Sequence, residues 1–235
     1  MKKIALLTFL LLSFGSFTIA ADTDSMQAEV AQKMASPDTL MEQISYLQKD
    51  WARIKYQIAE KDSQLKAIRK LEEQAAQVTA HYQDRPEPKI WEGIILSTYA
   101  GIDGGLGALG KVKKAKKLFE ASIKLNPQAL DGSAQTSLGS LYYQVPGWPI
   151  SFGNDDKAEE HLKQALEIDP TGIDSNFFYA DFLIENDRYE EARTYLQRAL
   201  QAPERAARPL ADSGRKQEVK AALAKIDKSV KKKES

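Results

Sequence analysis

Few residues in this chain are equipped for catalysis. There is no cysteine, which excludes a thiol nucleophile, a disulfide framework, an iron–sulfur cluster and cysteine-ligated zinc. The two histidines, His81 and His161, stand 80 positions apart with no H-E-x-x-H or spaced Ser-His-Asp pattern around them. His161 follows Glu160 on the expected outer helix of a pair and reads as solvated. Basic and acidic side chains balance at 33 each, so the net charge draws neither nucleic acid nor an anionic membrane surface. Abundant acid pairs read as helix surface. The expectation is a protein without catalytic residues, metal ligands or cofactor.

One motif imitates a nucleotide site. Gly105, Gly107 and Gly110 spell G-x-G-x-x-G, and Gly105 with Gly110-Lys111 spells G-x4-G-K. Val112 stands where a phosphate loop needs Ser or Thr for Mg²⁺, and no neighbouring segment supplies strands for a parallel sheet. The segment is expected to be a flexible insertion between two antiparallel helices, with glycines permitting left-handed turns.

The elements that must position any site are helical. Leu40, Ile44, Leu47, Trp51, Ile54 and Ile58 recur at gaps of 4 and 3, and Leu65, Ile68, Leu71, Ala75, Val78 and Tyr82 form a second stripe. Ser36-Pro37 reads as a helix start, so residues 37–84 are predicted to form a helical hairpin.

From Trp91 the chain repeats. Ala115, Ala158 and Ala192 each precede a large apolar residue by four positions, and Pro127, Pro170 and Pro203 close the units. Ala158 and Ala192 are 34 positions apart, the tetratricopeptide period. Small residues where paired helices cross let the backbones approach. Taking Trp91 as the first position of its unit implies eight inserted residues there, and the middle unit carries seven. Asp187 with Glu190 reads as a capping box. A capping helix is predicted from Gly214 to Ile226, with a frayed basic tail over 227–235. The fold class is therefore all-α, a tetratricopeptide-like helical-hairpin solenoid over 85–226 with two inserted loops and a C-terminal capping helix.

The extreme N-terminus reads as a targeting segment. Lys2 and Lys3 precede an apolar run from Ile4 to Leu12, and Thr18-Ile19-Ala20 places small residues at −3 and −1 of a cleavage site. The expectation is a signal peptide over 1–20, export to a bacterial periplasm, a polar frayed stretch over 21–36 and no membrane anchor.

The second insertion, Tyr142 to Ala158, is rich in aromatics and proline. The run Leu138-Gly139-Ser140-Leu141-Tyr142-Tyr143-Gln144-Val145-Pro146-Gly147-Trp148-Pro149, then Phe152-Gly153 and Asp155-Asp156-Lys157-Ala158-Glu159, resembles the TatT-type proteins. These are periplasmic tetratricopeptide proteins, some of them associated with TRAP transporters. Trp91-Glu92-Gly93, Tyr99-Ala100-Gly101, Leu118-Phe119 and Arg208-Pro209-Leu210-Ala211-Asp212 resemble that family too, over roughly residues 85–226. The resemblance implies an all-helical scaffold, in some members a homo-oligomer with a central pore, that helps deliver small organic ligands to a transporter binding component. Lipoprotein members carry a lipobox cysteine, which this chain lacks.

The first helix of each repeat lines the concave face of such a stack. Its inward positions are read as Glu92, Leu96 and Tyr99; Thr136, Ser140 and Tyr143; Phe177, Asp181 and Ile184. The candidate binding residues are Leu96, Tyr99, Ser140, Tyr143, Trp148, Phe177 and Asp181, serving a protein partner or a small ligand with an apolar body and a donor or cation. For Trp148 the sequence leaves two roles open: a cap over the helix seam, or a contact for ligand or partner.

Overall fold

The structure is a computed structural model that describes residues 37–234. The predicted signal peptide, the stretch over 21–36 and the proposed Ser36 cap lie outside the described residues. Contacts divide the chain into Met1–Thr39, described only for the first turn of its helix, and Leu40–Ser235, which holds everything below.

The described residues form nine α-helices: α1 Pro37–Gln57, α2 Lys61–His81, α3 Pro86–Asp103, α4 Gly105–Leu125, α5 Ala129–Gln144, α6 Asp155–Ile168, α7 Ile173–Glu185, α8 Tyr189–Gln201 and α9 Pro209–Glu234. Among them the strongest pairings are α3 with α4, α5 with α6 and α7 with α8, so the repeat region is a stack of helical hairpins. The two apolar stripes of α1 and α2 are buried from Leu40 to Ile54 and from Ile68 to Ala75, around Trp51 and Trp91. Asn126 and Asp169, each before a proline, terminate α4 and α6.

The crossings show why small residues occupy them. Ala115, Ala158 and Ala192 are fully buried. A methyl group on Gly139 would stand 2.7 Å from Leu162, and one on Gly93 only 2.5 Å from Phe119. Gly93 therefore occupies in the first hairpin the place of Gly139 in the second. This corrects the repeat register. Ala115 follows Gly93 by 22 positions, whereas Ala192 follows Ala180 by twelve, so the first insertion is ten residues rather than eight.

Three further expectations change. The glycine-rich segment is not a loop: α3 runs to Asp103 and α4 begins at Gly105, with only Gly104 and Gly105 at positive φ (71° and 65°). Asp187 is not an N-cap. It sits at φ 59° in the turn that closes α7, where the Arg188 N–H reaches the Leu183 carbonyl, and α8 starts after Arg188. The last helix begins at Pro209 and continues to Glu234. Gly214 lies inside it because the Tyr56 ring occupies the space a Cβ would need.

That last contact closes the array. Lys55 Nζ of α1 lies 2.9 Å from Glu218 Oε1 of α9, beside the contact of Tyr56 with Gly214. Arg193 of α8 and Glu185 of α7 hold α9 through Asp227 (2.7 Å) and Lys225 (3.1 Å). The C-terminal helix thus touches the N-terminal hairpin, and an open cleft lies among α1, α3, α5, α7 and α9. No helix among the described residues is long and apolar enough to cross a membrane.

Candidate functional site

The cleft has a volume of about 840 Å³, within the range of small-molecule sites. From α3 it is lined by Trp91, Ile94, Ser97, Thr98 and Gly101. From α5 come Ser133, Thr136, Ser137, Ser140 and Leu141, and from α7 Asp174, Phe177, Phe178 and Asp181. Trp51 and Lys55 of α1 and Arg208, Arg215 and Glu218 near or on α9 complete it. Both insertions contribute: Gly105, Ala108 and Leu109 from the glycine-rich one, and Val145, Pro146 and Ile150 from the aromatic one. The wall therefore combines apolar area with hydroxyls and one charged end.

Of the sequence candidates, Ser140, Phe177 and Asp181 line this cleft, as does Thr136. Tyr143 stands outside the lining. Its hydroxyl donates to Asp181 Oδ2 at 2.7 Å and its ring meets Phe182, so it positions Asp181. Burial raises the Tyr143 pKa well above the usual phenol value, and burial also raises that of Asp181.

The α3 candidates point elsewhere. Glu92 is 3% exposed and its carboxylate lies 2.8 Å from Lys114 Nζ of α4. Leu96 is in the core. Tyr99 faces α2, accepting a hydrogen bond from Arg69 Nε at 3.1 Å, with Lys111 Nζ 4.2 Å from its ring centre. The cause is the register: measured from Gly93, the counterparts of Ser140 and Tyr143 are Ile94 and Ser97, two positions from those expected. Aligning Gly93 with Gly139, rather than Trp91 with the repeat's tryptophan, finds them. Ile184, expected to face inward, is core.

The aromatic loop splits its side chains. Phe152 packs edge-on against Tyr142 with ring centres 5.7 Å apart. Trp148 is 89% exposed and Ile150 62%, so Trp148 does not cap the helix seam. The loop is fixed by backbone bonds from Ile150 and Ser151 to the Gly147 carbonyl, both 3.1 Å, and from Gly153 to that of Pro146, 3.0 Å.

His161 is half-buried rather than fully solvated. It stacks on Tyr142 at 5.6 Å, its Nδ1 lies 2.7 Å from Gln135 Oε1, and burial lowers its pKa. Lys111, the lysine of the phosphate-loop imitation, pairs with Asp103 Oδ2 at 2.8 Å inside its own hairpin. Among the described residues no group of three or more His, Cys, Asp or Glu is placed to hold a metal ion.

The charged end of the cleft had no signal in the sequence reading. Asp174 Oδ1 lies 2.8 Å from Arg215 Nε, and its Oδ2 lies 2.8 Å from Arg205 Nη1. Burial opposes the charge of Asp174, but Arg215, Arg205 and Arg208 together hold its carboxyl well below the ordinary range. The Arg215 guanidinium also lies 4.4 Å from the Phe177 ring centre and 4.6 Å from that of Phe178, which fixes one aromatic wall.

No curated protein matches the chain. Two family models of the tetratricopeptide repeat match it, one over residues 151–211 and one over 106–129. The matches fall on α4 and on the stretch from the aromatic loop to the start of α9, both within the stack of hairpins. Tetratricopeptide repeats commonly mediate protein–protein interaction. With the packing of the hairpins, the two matches support a tetratricopeptide-repeat family for this chain.

Proposed function

We propose that the protein is a non-enzymatic binding scaffold that holds a small organic ligand in the cleft and meets a protein partner through its outer surface. The observation that carries this reading is the cleft itself, about 840 Å³ between the hairpins and the returning α9. A repeat stack that served only as a spacer has no need of a cleft lined by Ser137, Ser140, Phe177 and Phe178. Apolar walls with a few placed polar groups are the usual character of a small-molecule site.

The resemblance to TatT-type proteins extends the proposal. The ligand is passed to the binding component of a TRAP-type transporter, and the chain works in the periplasm after removal of a signal peptide. The exposed Trp148 and Ile150 favour a partner contact near the cleft mouth, because a large exposed aromatic is a frequent anchor at interfaces.

The test is a thermal-shift screen of small organic acids, amines and neutral compounds on the wild type and on Ser137→Trp. Ser137 lines the cleft away from the tight crossings, so tryptophan there fills the chamber. Compounds that raise the melting temperature of the wild type are expected to have no effect on the variant. Equal shifts for both proteins would mean binding outside the cleft, and the absence of any shift would leave a structural oligomer as the better reading.

A further inference from the structure

The charges lining the cleft balance in number, Lys55, Arg208 and Arg215 against Asp174, Asp181 and Glu218, but their pairing is uneven. Arg205, Arg208 and Arg215 come from α9 and the turn before it, and Lys55 comes from α1. Four acids stand near these cations, Asp174, Asp181 and Glu218 in the cleft lining and Asp212 beside it. Arg215 and Arg205 share Asp174, each at 2.8 Å. Arg205 also holds Asp212, through its backbone N–H and its Nε, both at 2.8 Å. Lys55 holds Glu218 at 2.9 Å.

Arg208 feels the charges of Asp174 and Asp212 but makes no direct ion pair with either. No carboxylate among the described residues forms an ion pair with its guanidinium, and its Nε is buried with no acceptor in the protein. The guanidinium lies 5.1 Å from the ring centre of Trp91, whose indole N–H is likewise buried without an acceptor. Two unmatched donors are therefore neighbours, and both residues line the cleft. A buried donor without an acceptor is costly, and a guanidinium is suited to a carboxylate by its paired N–H groups as well as by its charge. Asp181, the remaining acid of the lining, already accepts the Tyr143 hydroxyl.

We propose that the Arg208 guanidinium, set against Trp91, forms an anion subsite, so that the cleft takes an organic carboxylate whose head meets the terminal Nη groups of Arg208 and whose apolar body lies against Ile94, Phe177 and Phe178. The inference rests on the ligand-binding reading above and sharpens it. A guanidinium held 5.1 Å from the ring centre of an indole has less freedom than a solvated one, which favours its binding an acceptor. The ligand is then selected by charge at one end and by shape and apolarity along the rest.

The experiment is calorimetric titration of the full chain with two matched series that share a body and differ in the head. One series is octanoate, 1-octanol and octylamine; the other is 1-naphthaleneacetate, 2-(1-naphthyl)ethanol and 2-(1-naphthyl)ethylamine. In at least one series the acid is expected to bind about tenfold or more tighter than the alcohol and the amine, the size of a charge-assisted hydrogen bond. Arg208→Gln is expected to reduce the acid to the affinity of the alcohol while leaving the alcohol unchanged. Arg208→Lys is expected to keep part of the preference, and circular dichroism checks the fold of both variants. Should Arg208→Gln fail to fold, the head-group comparison on the wild type decides by itself. Saturable binding of alcohol or amine as tight as the acid, or an acid preference that persists in Arg208→Gln, would overturn the anion subsite and leave the ligand cleft standing. No binding by either series would overturn both.

Discussion

Two hairpins of this protein carry insertions at the same place, between their paired helices, and the two have taken opposite forms. The ten-residue insertion of the first hairpin has become helix, lengthening α3 and α4 with only Gly104 and Gly105 left at the bend. The seven-residue insertion of the second remains irregular from Val145 to Asn154, held by bonds to the Gly147, Pro146 and Tyr142 carbonyls. Glycine content alone points the other way, since glycine favours flexible chain over helix. What decides is the presence of proline. Pro146 and Pro149 remove donors that a helix would need, whereas Gly107 and Gly110 each keep an N–H for the ladder. Both insertions still end up lining the same cleft.

Four substitutions break or sharpen this comparison, in decreasing order of effect. Gly93→Ala sets a methyl 2.5 Å from the fully buried Phe119 ring and is expected to cost about 1–3 kcal/mol in chemical denaturation. An ordinary helical glycine would gain stability instead, so a gain here would show that Gly93 is not the counterpart of Gly139. Gly153→Ala forces a methyl into the Val145 carbonyl and the Pro146 and Gly147 backbone. The expected cost is about 1–2 kcal/mol, less than at Gly93 because an exposed loop can rearrange. Hydrogen exchange should report lost protection of the Gly153 N–H.

Gly110→Ala tests the helical form of the first insertion. Nothing lies within 4 Å of the added methyl, and helix propensity predicts a gain of about 0.5–1 kcal/mol. A loop at this position would show no gain. Trp148→Ala is expected to change stability by less than about 0.5 kcal/mol, because the side chain is 89% exposed. A large loss would mean that the indole packs on the molecule after all.

The parts of the fold that were legible in the sequence are those written locally. The stripes Leu40 to Ile54 and Ile68 to Ala75, the small residues Ala158 and Ala192, and the prolines after Asn126 and Asp169 each announce themselves within a few turns of helix. Ser140, Phe177 and Asp181 followed from the same periodicity. The inward face of α3 did not, because Trp91 resembles the repeat's tryptophan and drew the alignment two positions away from the crossing at Gly93. The charged end of the cleft was invisible for a different reason. It depends on α9 returning to α1, through partners such as Lys55 and Glu218 that are 163 positions apart, and no local pattern encodes that meeting. Arg208 stands in the sequence only as part of the Arg208-Pro209-Leu210-Ala211-Asp212 resemblance, and no local pattern places it against Trp91.

The central claim is that ligand enters the cleft between the hairpins, and a backbone-amide NMR titration with 1-naphthaleneacetate tests it most directly. Saturable shifts are predicted for Ser137, Ser140, Phe177 and Phe178, accompanied by Gly101 and Ile150 from the flanks of the two insertions. Shifts confined to the outward surfaces of α6 and α8, around Glu160 and Arg193, with those cleft residues unmoved, would contradict the account.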